Sequence, residues 1–228
     1  MRVGVLASGE GTNLQALLDT VHTRDVDAPG VGPGGRTREP AGAAAPTPVE
    51  IVAVASDQPS ARALERAQAA AIPTRVFLRS EYGERAARDG AIADWLAEHG
   101  VELVVLAGYM AILDRGFVAR FPDRIINVHP SLLPAFAGVR AIQQALDYGV
   151  TVFGVTVHLV DEGVDTGPII LQRALELPGA RTASEVGDRL RPIEHELLPR
   201  AVALIAAGRL RRDPGHPRRV LVDEERGS

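Results

Sequence analysis

The sequence predicts an α/β fold: a twisted, mostly parallel sheet of about seven strands, helices on both faces, and an antiparallel hairpin near the C-terminus. Three observations point there. Short apolar runs alternate with stretches of helical period through residue 128, the pattern of right-handed βαβ units. The run VELVVLAGY at 101–109 is apolar enough to be buried on both faces, as a central parallel strand is. Finally, GVTVHLV and GPIILQRALEL are separated only by DEGVDT, which leaves no room for a crossover helix and makes the sheet mixed.

The elements follow in order. Residues 3–7 (VGVLA) read as a buried strand, SGEGTN as a turn and LQALLDTV as a helix. Ten of the 22 residues over 27–48 are Gly or Pro, so this segment sustains neither period and reads as a flexible surface insertion. EIVAVAS (50–56) is the second strand, SARALERAQAAA the second helix and TRVFL a short third strand. Within residues 81–100 the helical period places Ala87, Ile92, Trp95 and Leu96 among the apolar positions, with Gly100 as a C-terminal cap. RGFVARF reads as a short helix and RIINV (124–128) as a fifth strand. A last helix opens on a capping box from Thr182 to Glu185 and runs to Gly208, with Pro192 expected to kink or break it. Residues 1–208 thus form one catalytic domain. Residues 209–228 are a charged extension, read as an edge hairpin and a frayed end.

Composition narrows the function classes. A net charge of -4 argues against nucleic acid as the main partner. The absence of cysteine removes disulfides, thiolate catalysis and Cys-ligated zinc. The N-terminal apolar run is too short for a signal peptide and no stretch has the length of a membrane span, so a cytoplasmic protein is expected.

Three places carry chemistry. SGEGTN joins a strand to a helix start. It fits either an anion cradle built from the N–H groups of Gly11, Thr12 and Asn13, or a plain turn with Thr12 or Asn13 as N-cap. It lacks the last glycine of a dinucleotide fingerprint and the lysine of a Walker loop. Asn127 and His129 stand two apart at a strand end, on one side of an extended chain. Together they suit a carbonyl whose oxygen becomes negative in acyl transfer. Asp165, in VDEGVDTGP, is positioned to take a proton through His129 or water, or to hold the imidazolium. Asp161 and Glu162 read as solvated turn residues, and His158 as a mid-strand support. No tight metal-ligand spacing and no nucleophile elbow occur, so no metal is expected and direct attack by a substrate amine is the default.

VLASGEGTNLQALLD, LVVLAGYMAIL, IINVHPSLLPAFAG and GVTVHLVDEGVDTGPIILQ, in this order, resemble the folate-dependent phosphoribosylglycinamide formyltransferases. The resemblance implies a Rossmann-like formyltransferase fold. It also implies formyl transfer from 10-formyltetrahydrofolate to glycinamide ribonucleotide, in a monomer or homodimer that uses neither metal nor nucleic acid nor membrane. It assigns oxyanion stabilisation to Asn127 and His129 and proton handling to Asp165. It assigns phosphate binding to Gly11, Thr12 and Asn13, and ribose contact to Glu194. Arg85 falls at a basic position near the cleft. Tyr109, Met110, Ala111, Ile112, Leu113, Val118, Val160 and Val164 line the folate pocket. Ala111 stands where many members carry Arg, Ala137 replaces a Pro, Arg140 replaces a His, and Pro192 precedes Glu194; none of these touches the Asn–His–Asp set. Sister readings on the same domain are a sugar or methionyl-tRNA formyltransferase or a formyl-folate hydrolase. The tRNA enzyme would be expected to add a basic C-terminal domain and the hydrolase an N-terminal regulatory one. The phosphate turn disfavours a sugar acceptor. A non-catalytic nucleotide-binding module would have no need of Asn127, His129 and Asp165 together.

Overall fold

The computed structural model describes residues 1–22 and 48–223. Apart from Pro48, the insertion expected over 27–48 lies outside the described residues, as does the frayed end. A seven-stranded sheet has the order β3-β2-β1-β4-β5-β6-β7. Its strands are β1 (Arg2–Leu6), β2 (Glu50–Ser56), β3 (Thr74–Val76), β4 (Leu103–Leu106), β5 (Ile125–His129), β6 (Val152–Leu159) and β7 (Ile169–Glu176). The first five run parallel and β6 and β7 are antiparallel to their neighbours. β4 is buried along its whole length, as its uninterrupted apolar run requires.

Helices α1 (Thr12–Thr20), α2 (Arg62–Ala69), α3 (Arg85–Glu98), α4 (Arg115–Arg120), α5 (Ala141–Tyr148) and α6 (Ala183–Ala206) connect the strands and cover them. Two apolar cores result. One holds Leu14, Leu17, Val105, Val155, Leu190 and Leu198. The other holds Leu6, Phe77, Ile92, Trp95, Leu96, Val104 and Phe117. A separate hairpin of β8 (Leu210–Arg212) and β9 (Val220–Val222) meets the main sheet through an isolated bridge between Ile169 and Arg219.

Three local expectations change. Ala87 is exposed, and Arg88 and Asp89 are buried in its place; the i, i+3, i+4, i+7 stripe through Ile92, Trp95 and Leu96 passes through 88 and 89 rather than 87. α6 does not break at Pro192, and it also passes Pro199. Its apolar side, from Val186 through Leu190 and Leu197 to Val202, stays seated in the core throughout, so packing carries the helix past the missing N–H groups. Half of the capping box forms, with Thr182 Oγ1 accepting from Glu185 N at 3.2 Å. Glu185 Oε2 accepts from Arg181 N rather than from Thr182. α5 is a helix to which the sequence pattern assigns no element.

Candidate active site

The chain leaves β1 toward β2 and leaves β4 toward β5, on opposite sides, so the carboxyl ends of these neighbours open a crevice. The turn after β1 is shaped by Gly11, whose φ is 69°. A β-carbon there would come within 2.6 Å of Ala63 Cα, so only glycine lets α2 pack against the turn. Arg66 Nε donates to Glu10 O at 2.9 Å and braces the turn from α2. Gly11, and neither Thr12 nor Asn13, is the N-cap, and no side chain caps the helix. The N–H groups of the first turn are therefore left without a side-chain acceptor. Asn13 is instead free to donate through Nδ2 to Glu194 Oε2 at 3.0 Å, joining α1 to α6. Burial pushes the Glu194 carboxyl up, against the pull of Asn13 and Arg191.

β5 ends in the cluster the sequence singles out. Asn127 lies directly opposite His158 across the β5–β6 pair. Asn127 Nδ2 is 3.3 Å from Asp165 Oδ1 and 3.3 Å from His158 Nε2. His158 Nδ1 lies 2.8 Å from Leu159 O. A carbonyl only accepts, so Nδ1 carries a hydrogen, and Nε2 faces both the Asn127 amide and, at 3.5 Å, Asp165 Oδ1. His129 Nε2 is likewise 2.9 Å from Phe136 O, which leaves Nδ1 facing Asp165 Oδ2 at 3.3 Å. The second oxygen of Asp165 also takes Gly138 N–H at 2.8 Å. Burial by itself would raise the Asp165 carboxyl. The His158 ring, the Gly138 N–H and the nearby His129 outweigh it and hold the group at about 2. The carboxylate is thus an acceptor near neutral pH, taking the Asn127 amide and the Gly138 N–H with the two imidazole rings beside it.

The turn after β5 is built rather than reactive. Ser131 is buried and donates from Oγ to Ala135 O at 2.6 Å, while Thr156 Oγ1 donates to Ser131 O at 2.7 Å. A cis Leu133–Pro134 bond completes it. Asp161 Oδ1 accepts from Gly163 N and Thr166 Oγ1, which makes it the organiser of the hairpin loop.

A cavity of about 540 Å³ joins these parts, within the range of small-molecule sites. Asn127, His129, His158 and Asp165 line it, together with Asn13 and Glu194. Tyr109, Met110, Ala111, Ile112, Leu113, Val118, Val160 and Val164 line it as well. Gly11 and Thr12 are not among its lining residues; their turn leads directly into Asn13, which is. Arg85 is exposed at the start of α3 and does not reach it either. Among the described residues, no group of three His, Asp or Glu side chains has the arrangement of a metal site.

A family described as formyl transferase matches residues 1–202. The chain belongs to the formyl transferase family. It is 38% identical over 210 residues to phosphoribosylglycinamide formyltransferase of Haemophilus influenzae, covering 92% of this chain and 89% of that protein. It is 42% identical over 210 residues to the trifunctional purine biosynthetic protein adenosine-3 of Bos taurus, where 92% of this chain spans only 19% of the relative. The crystal structure of glycinamide ribonucleotide transformylase 1 from Symbiobacterium toebii superposes with a TM-score of 0.84 at 41% identity, covering 98% of this chain and 94% of that one. The Rossmann-like sheet is therefore the formyl transferase sheet.

This formyl transferase cavity has a wall that residue patterns miss. Gly138, Val139, Arg140 and the first residues of α5, Ala141 to Gln143, line it. The available signal is Gly149, which closes α5 at φ 83°, with Ala141 and Ala145 buried four residues apart. Among the described residues no helix is long and apolar enough to cross a membrane.

Proposed function

We propose that this formyl transferase moves the formyl group of 10-formyltetrahydrofolate to the amine of glycinamide ribonucleotide, releasing tetrahydrofolate and formylglycinamide ribonucleotide. The observation that carries the proposal is a shared cavity. The Asn127–His129–Asp165 cluster, the Asn13–Glu194 pair and the wall at 108–113 all open into one space. The turn at Gly11, with its uncapped first-turn N–H groups, suits the ribonucleotide phosphate. Glu194 accepts from the ribose hydroxyls. The apolar wall takes the flat ring system of the folate. Among the described residues lining the cavity, Arg140 alone carries a fixed positive charge, which suits the folate carboxylates.

In the reaction the amine attacks the formyl carbon. A C–N bond forms, and the carbonyl pair moves onto oxygen. Asn127 Nδ2, released from its long contacts, donates to that oxygen. His129 Nδ1, backed by Asp165, takes the proton leaving the amine, and the N–H so formed supports the oxyanion. The oxygen pair then returns, the bond to the folate nitrogen breaks, and that nitrogen receives the proton His129 took from the amine. No covalent intermediate with the protein is needed.

The test is a spectroscopic assay of 10-formyltetrahydrofolate consumption with glycinamide ribonucleotide present, omitted, or replaced by an amino sugar nucleotide. Turnover that requires the ribonucleotide supports the assignment. Turnover without it, or with the amino sugar nucleotide in its place, moves the chain to a hydrolase or a sugar formyl transferase.

A related prediction concerns Glu194. Its raised carboxyl means that the folded state penalises the ionised form. Glu194→Gln keeps an acceptor for Asn13 and removes the buried charge. The variant is expected to melt at or above the wild-type temperature while its ribonucleotide KM rises about tenfold. A lower melting temperature with unchanged KM would count against ribose contact.

A further inference from the structure

α3 buries two charges that the proposed chemistry does not use. Arg88 is 3% exposed and Asp89 is 0% exposed. Both Nε and Nη2 of Arg88 donate to one oxygen of Asp89, at 2.9 and 2.7 Å. A buried ion pair is weak evidence of stabilisation, because desolvation costs about as much as the pair returns. The other oxygen shows what the pair does. Asp89 Oδ2 accepts from the backbone N–H of Asp114 at 2.6 Å.

Asp114 ends the loop that leaves β4. The beginning of that loop is fixed by Ala107 N–H to Leu6 O at 2.9 Å and by Met110 N–H to Ser8 Oγ at 2.9 Å. Ser8 in turn donates to Asp57 Oδ1 at 2.6 Å. Between these two ends the chain has no helix or strand. Met110 and Ile112 are 65% and 58% exposed, yet residues 108–113 form one wall of the cavity. The Tyr109 hydroxyl is buried with no partner among the described residues, in the field of Arg88, Asp57 and Asp89. Burial pushes this phenol up, so it stays neutral beside those charges.

We propose that Asp89 is a positioning residue for the folate wall: it fixes the far end of the 108–113 loop through Asp114 N–H, and Arg88 holds its carboxylate in place. This rests on the reading of that wall as the folate subsite. Asp89 touches no substrate. It acts on binding through the backbone of the loop.

A pair of variants isolates the bond. Asp114 has φ −74°, a value proline adopts; its ring takes the place of the N–H, so Asp89 Oδ2 must move aside. Asp114→Pro deletes the N–H that reaches Asp89. Asp114→Ala keeps that N–H, and both variants lose the Asp114 cap on Gly116. The KM for 10-formyltetrahydrofolate is expected to rise about tenfold in Asp114→Pro relative to Asp114→Ala. Asp89→Ala should raise it similarly while kcat stays within about threefold of wild type and ribonucleotide affinity, read by titration calorimetry, is unchanged. Asp89→Asn, which keeps an acceptor oxygen, should recover part of the loss. Equal folate KM in the two Asp114 variants would overturn the proposal, and this comparison decides the matter even where Asp89→Ala fails to fold. Parallel loss of kcat and of both affinities in a folded Asp89→Ala would overturn it too, by marking a general structural role. Wild-type protein that binds no folate would remove the functional reading itself, a result separate from any variant.

Discussion

His129→Ala is expected to lower kcat about a thousandfold or more while leaving the affinity for glycinamide ribonucleotide within about twofold of wild type. The ring occupies the centre of the site: Nε2 is anchored on Phe136 O, and Nδ1 faces Asp165. Removing it takes away a donor to the developing oxyanion and the nitrogen through which a proton reaches the carboxylate. The ribonucleotide contacts proposed at Gly11, Asn13 and Glu194 lie on α1 and α6 and do not involve the ring. His129→Gln separates the two roles. An amide can still donate to oxygen but does not cycle a proton, so Gln should recover part of the loss. Single-turnover rates with saturating substrates, together with ribonucleotide titration, check both. Full activity in His129→Ala would remove the residue from the chemistry.

The second large effect is expected at Asp165. One oxygen receives the Asn127 amide, and the other receives Gly138 N–H and faces His129 Nδ1. Asp165→Asn preserves size but turns a group that only accepts into one that also donates. In either orientation its amide N–H points at another donor, so the network loses at least one bond. A fall in kcat of about 10²- to 10³-fold is expected. The same variant changes acid stability in a definite direction. The carboxyl is held at about 2 in the fold against 3.8 for an unperturbed group. The folded state therefore binds this proton less readily than the unfolded chain does. The ionised group contributes about 2 kcal/mol of stability above roughly pH 4, lost as pH falls through about 2. Urea midpoints between pH 5 and pH 2 should fall more steeply for wild type than for Asp165→Asn. Parallel slopes would show that the cluster does not stabilise the ionised form.

What could be read from residues alone divides along physical lines. Strands such as 103–106 and 125–129 declare themselves because burial on both faces demands unbroken apolar runs. The pairing of Asn127 with His129 was legible because period-two geometry is local. Residues that act across the chain were not. Asn13 meets Glu194 across 181 positions, and no pattern within either segment announces the other; only the family resemblance drew them together. α5 was hidden by its brevity and by Gln143, Gln144 and Asp147, which dilute its apolar face. Arg88 and Asp89 were hidden because charge argues against burial, and the stripe was drawn through Ala87 instead. Arg85 was the cation chosen on α3, and the helix turns it to solvent.

The Asn13–Glu194 bond also bears on how the molecule comes to work. Every group assigned to the formyl carbon is supplied between residues 107 and 165, whereas the acceptor end needs one side chain from the first helix and one from the last. During synthesis the chemical centre is translated well before α6 emerges, and the pair closes only when that helix docks. Recognition of the acceptor is therefore the last capability the chain acquires. Because Leu190 and Leu198 of α6 share one core with Val105 and Val155, the docking that closes this pair also completes the packing beneath the cluster.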